Sequence, residues 1–92
     1  MYLGLLLKVS ERHNLSVISE GVFKKPTQGD KFSLNGIGFD SDLVLFESSE
    51  VLSVSDSGNT FSFKTILNEE YRLYIEKDYV ESNRDIVLGS LS

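Results

Sequence analysis

"SVSDSGNTFSFKT", residues 53–65, reads as two short strands around a tight turn. Apolar residues alternate on both arms, Leu52 and Val54 before the turn and Phe61 and Phe63 after it. A side-chain period of two marks a half-buried strand, because successive side chains point to opposite faces. Ser55, Asp56, Ser57, Gly58 and Asn59 stand between the arms, and these are the residue types that hairpin turns use. The four apolar residues are expected to point inward, with Thr65 and Leu67 on the face of the two phenylalanines. The polar tip needs no ligand to account for it.

The same period runs through most of the chain. Leu3, Leu5, Leu7 and Val9 alternate, and a polar turn follows at residues 11–14. Leu15, Val17, Gly21 and Phe23 alternate next, with Ile18 and Val22 on the other face. "KKPTQGDK" is a loop, in which Pro26 suits the second position of a β-turn and Gly29 a positive φ. "KFSL", "LVLFE", "EVLSVS" and "EYRLYIE" read as further strands, and "NGIGFDSD" as a second irregular segment. The end, "KDYVESNRDIVLGSLS", predicts a short helical turn and a final strand at "DIVLGS". No segment carries a helical stripe. The expectation is an all-β fold over residues 1–92: a small single-domain barrel or sandwich of SH3-like, OB-like or translation-factor-barrel-like kind. It would hold about six or seven short, mostly antiparallel strands.

"GVFKKPTQGDKF", residues 21–32, resembles the strand-turn-strand of the β-barrel domain that follows the GTPase domain in translation factors. That family pairs a glycine-valine strand with a later Gly-Asp and an apolar strand. Its middle glycine is missing here. The resemblance implies a barrel, and no function is carried over from it.

A chain of 92 residues is one domain with one modest core. The 40% apolar and 25% charged composition is that of a folded globular protein. There is no cysteine, so disulfides and thiolate metal sites are excluded. The apolar run at residues 2–7 has no basic region before it and no small-residue cleavage site after it, and it is too short to span a bilayer. It reads as a first strand, and a cytoplasmic protein without membrane attachment is expected. Asn14-Leu15-Ser16 matches the glycosylation pattern by chance on this reading.

Charge is unevenly placed. Residues 32–63 carry no Lys or Arg and five acids, Asp40, Asp42, Glu47, Glu50 and Asp56, in a chain of formal net charge −5. A nucleic-acid binder normally shows a positive footprint, because neutralising phosphates supplies most non-specific affinity. An acidic middle instead suits a basic protein surface, or serves only to keep a small β protein soluble.

Catalytic signatures are weak. His13 is the only histidine, in a polar turn beside Glu11 and Arg12, and no G-x-S-x-G elbow accompanies it. One His without Cys makes a zinc site improbable. Asp40 and Asp42 lack the further oxygen ligands of a calcium loop, and local Asx-turn bonding is their expected role. Gly36-Ile37-Gly38 lacks the rest of a phosphate loop. No cofactor and no metal are expected.

Several strands are apolar on both faces. If Leu3, Leu5 and Leu7 face the core, Tyr2 and Leu6 do not; if Leu43 and Leu45 face inward, Val44 and Phe46 do not; if Tyr71, Leu73 and Ile75 are buried, Tyr74 is not. The surplus is covered by the C-terminal segment (Tyr79, Val80, Ile86, Val87, Leu88), or it is an interface with aromatic anchors. The function read from the sequence is therefore non-enzymatic protein binding by an acidic inhibitor, immunity or adaptor protein, of the sort phages and plasmids encode. Asp40, Asp42, Glu47, Glu50, Asp56, Phe46 and Tyr74 are the candidate partner-binding residues, and the partner would present a basic surface. Homodimerisation through a strand edge stays open. The alternative is a nucleic-acid-binding barrel using Lys24, Lys25, Lys31, Lys64 and exposed aromatics.

Overall fold

The computed structural model describes residues 1–78. The strands are β1 (Tyr2–Val9), β2 (Leu15–Phe23), β3 (Lys31–Asn35), β4 (Val44–Asp56), β5 (Thr60–Thr65) and β6 (Glu70–Asp78). They close in sequence order into one antiparallel barrel, β6 pairing back onto β1. The all-β expectation holds, and between the barrel and the sandwich the chain is a barrel. The helical turn and final strand expected after Asp78, and the cover expected from Tyr79 onward, lie outside the described residues.

The opening hairpin forms where expected. β4 and β5 are joined by Ser57, Gly58 and Asn59, with Gly58 at φ 71° and the Ser57 N–H donating to the Thr60 carbonyl at 2.9 Å. Phe61, Phe63 and Thr65 are buried, whereas Leu67 stands exposed in the following turn. The inward arm of β4 differs from expectation. Val51 is buried and Leu52 is 54% exposed, because the register jumps from Val51↔Thr65 to Ser53↔Lys64. Leu52 is the extra residue of a bulge, and a bulge switches which positions face the core.

β4 carries two more such jumps, at Leu45 and between Glu47 and Glu50. They merge what reads as two strands into one of 13 residues, which bends far enough to pair with β3 by its first part and β5 by its second. They also reverse the expected facing of its start. Leu43 and Leu45 are exposed, and Phe46 turns inward onto Tyr71. The middle bulge leaves Phe32 without a ladder partner on β4. The buried Ser48 hydroxyl replaces it, accepting from the Phe32 N–H at 3.0 Å and donating to the Ser49 carbonyl at 2.7 Å.

Bulges explain the other reversals too. Opposite β1, β2 carries Ile18 as an extra residue, so Leu15 and Val17 pair with the buried Val9 and Leu7 yet stand exposed, while Gly21 and Phe23 turn inward. On β1, Leu6 and the half-buried Tyr2 pack into the aromatic cluster, whereas of the expected Leu3, Leu5 and Leu7 only Leu7 is buried, together with Val9. β6 follows expectation: Tyr71 and Leu73 are buried, Ile75 packs on the core and Tyr74 points out.

The core is built on aromatic rings. Phe61, Tyr2, Phe23, Phe32, Phe63, Tyr71 and Phe46 touch in succession, at centroid separations from 4.9 to 6.0 Å. Every strand supplies at least one ring. Leu6, Leu34, Val51 and Leu73 fill the space around them. Tyr71 donates its hydroxyl to Glu69 at 3.0 Å, and burial together with this carboxylate pushes its pKa up to about 12.

Two outcomes follow from this packing. Ser48→Ala strands the buried Phe32 N–H and lowers stability by about 1–3 kcal/mol in urea denaturation, whereas Ser49→Ala, whose buried hydroxyl has no hydrogen-bond partner among the described residues, costs little. Because folding raises the Tyr71 pKa above its ordinary value of 10.0, the folded state holds that proton more tightly. Its contribution is intact below pH 10 and is lost as pH climbs toward 12, so the urea midpoint falls over that window and Tyr71→Phe flattens the fall.

Candidate functional site

The described residue most at odds with its surroundings is Phe39, an aromatic 97% exposed to solvent. It sits in the loop between β3 and β4, on a 3-10 turn at Gly38–Asp40. Its exposure follows from how the loop is closed. The Gly36 N–H donates to the Leu43 carbonyl and the Leu43 N–H to the Asp40 carbonyl, each at 2.9 Å. The Asn35 side-chain amide reaches over to the Ser41 carbonyl at 2.8 Å. Gly36 is required, since a Cβ there would run into the Asp40 carbonyl oxygen. Folded back on itself in this way, the loop has no inner face to offer Phe39.

The neighbours of Phe39 are apolar and acidic. Ile37, Leu43, Val44 and Leu45 are exposed beside it in the chain, and so are Asp40 and Asp42. Neither aspartate side chain makes a hydrogen bond or ion pair among the described residues, so Asx-turn bonding is not what holds this loop. Glu47 projects from the outer face of β4, opposite Ser33.

The five acids do not form one patch. Glu50 stands across the ladder from Lys31. Asp56 takes the Lys25 ammonium at 3.5 Å, and that ammonium also lies 5.7 Å over the Phe61 ring. Asp40 and Asp42, in the β3–β4 loop, and Glu47, further along β4, remain without a lysine partner among the described residues. Phe46 is turned into the barrel, and Tyr74, 38% exposed, lies on β6, which pairs with β1 and β5 rather than with β3 or β4. Phe39 and Ile37 were not among the expected contacts. The signal for them was an apolar pair set among glycines and aspartates, where no strand supplies an inward face.

Of the four lysines of the nucleic-acid alternative, Lys25 and Lys64 are ion-paired. Lys24, Lys25 and Lys31 line a shallow cavity of about 410 Å³ near Phe23 and Phe32. Lys25 is held by Asp56, and Lys64, on β5, lies 3.7 Å from Glu70. Phe61 and Phe63 are core residues and present no stacking platform. His13 is exposed at φ 62° in the β1–β2 turn, and the nearby Ser10 hydroxyl accepts the Asn14 N–H. Among the described residues no group of His and carboxylates is gathered to hold a metal ion, and no helix is long and apolar enough to cross a membrane. On the outer face of β6, the Glu76 carboxyl hydrogen-bonds with Glu20 of β2, which raises its pKa above the ordinary value.

In comparisons with protein families, curated proteins and solved structures, nothing matches the chain.

Gly36→Ala tests the loop's construction. The added methyl forces the Asp40 carbonyl aside, with an expected loss of about 1–3 kcal/mol in urea denaturation. Amide shift changes in a two-dimensional NMR spectrum should be confined to residues 35–43.

Proposed function

We propose that this chain is a non-catalytic protein-binding barrel, an inhibitor, immunity or adaptor protein that engages a basic surface on its partner through the β3–β4 end. The observation that carries this reading is Phe39, held fully in water by a loop closed through backbone and Asn35 hydrogen bonds. Burying such a side chain is worth about 1.5–3 kcal/mol. A loop already fixed before contact loses little further freedom on binding. Aromatic anchors of this kind, ringed by polar groups, carry a large share of binding energy at protein interfaces.

The charges add direction. Asp40, Asp42 and Glu47 have no ion-pair partner among the described residues, and residues 32–63 contain no Lys or Arg. An acidic end speeds encounter with a basic surface and disfavours nucleic acid. Within the longer acidic set first considered, Glu50 and Asp56 face lysines and contribute less.

The chain immobilised through its C-terminus and exposed to protein from the cell that makes it should retain a partner that Asp40→Lys/Asp42→Lys/Glu47→Lys releases. For the purified partner, the triple variant should slow association at least tenfold at 50 mM salt and much less at 500 mM, as screening requires. Phe39→Ala should speed dissociation about tenfold or more. Unchanged kinetics in both variants would overturn the reading.

A further inference from the structure

The barrel has a seam. β2 pairs with β1 from Leu15 to Phe23, but with β3 only at Val22 and Phe23. Beyond that point β3 ends at Asn35, and the chain leaves as the Phe39 loop. Along residues 15–20 the edge of β2 facing away from β1 therefore has no strand partner among the described residues. Leu15, Val17 and Ile18 are exposed there, Val17 by 62%.

This edge lacks most of the usual protections. Exposed strand edges are commonly guarded by Lys, by Pro or by a covering element, because their unpaired N–H and C=O groups are a template for another strand. Residues 15–20, "LSVISE", contain neither Lys nor Pro and a single charge, Glu20. The bulge at Ile18 bends the edge, which favours a short added strand over open-ended stacking.

The charges nearby select the occupant. Glu20 ends the open stretch on the outer face, and the Asp40 and Asp42 loop begins at that same end, where β3 stops beside β2. A second copy of the chain would bring another net −5 and another Glu20 to the same edge. A basic extended segment would meet favourable charge at the Glu20 end, where the Asp40 and Asp42 loop also begins. Resting on the reading of this chain as a protein binder, we propose that the β2 edge at residues 15–20 takes a short, extended, Lys- or Arg-bearing segment of the partner as an added antiparallel or parallel strand, next to the Phe39 loop. Main-chain hydrogen bonds would supply affinity, and the acids would select basic side chains.

The probes are two eight-residue peptides with Val and Thr at alternate positions, one carrying Lys at the others and one Glu. They are titrated at low salt into the isotope-labelled full chain and followed by NMR. The Lys peptide should shift the amides of residues 15–20 and slow hydrogen exchange at those aimed away from β1 at least tenfold. The Glu peptide should do neither, and Glu20→Lys should weaken the Lys peptide several-fold with no change in Tm. No shift at residues 15–20 with millimolar Lys peptide would overturn the proposal. So would slow exchange at every one of these amides in the free chain, or a dimer whose protected amides are these. Shifts confined to residues 36–43 would overturn the edge while leaving the protein-binding reading intact. Edge shifts together with wild-type kinetics for the loop variants would do the reverse.

Discussion

The barrel depends on the bend in β4. One strand must hydrogen-bond β3 with its first part and β5 with its second, and a regular strand of that length would leave the barrel open. Three bulges supply the bend. Each breaks the ladder locally, and the buried break needs a replacement donor or acceptor. Ser48 provides it at the middle bulge, where its hydroxyl bonds both the Phe32 N–H and the Ser49 carbonyl. A small hydroxyl side chain at this corner thus lets a curved strand stay satisfied inside a closed sheet.

Closure determines what the interior can be. A six-stranded barrel of this size has room for one column of side chains, and aromatic rings drawn from every strand occupy it. Tilted and edge-on contacts between such rings add about 0.5–1.5 kcal/mol per pair beyond their burial. Outside these rings the described residues present exposed apolar and acidic groups at the surface. There the short β3 matters most. It ends at Asn35, and both the raised Phe39 loop and the β2 edge left without a strand partner among the described residues follow from that early ending.

Charge placement fits the same picture. Lys25, Lys31 and Lys64 stand against Asp56, Glu50 and Glu70, so much of the positive charge is offset within the barrel wall. Of the five acids in residues 32–63, Asp40, Asp42 and Glu47 are left without such partners among the described residues. Surface pairs of this kind add little stability at ordinary salt, and their main effect here is on which surface stays acidic.

By itself the sequence determined the all-β class, most strand positions and the β4–β5 turn, because alternation and turn chemistry are local. Gly58 and its neighbours mark the hairpin from sequence alone, and the acid-only middle is visible by counting. Facing was decided only by the tertiary structure. Leu52, Leu15 and Leu3 obey the alternation yet point away from the core, while Val51, Tyr2 and Phe46 point toward it. A bulge sets two residues against one on the neighbouring strand, so it exists only once the neighbour is in place. Nothing in a period of two records it. The exposure of Phe39, and a β2 edge unpaired among the described residues, were likewise settled by pairing, through where β3 stops, and not by any residue's own preference.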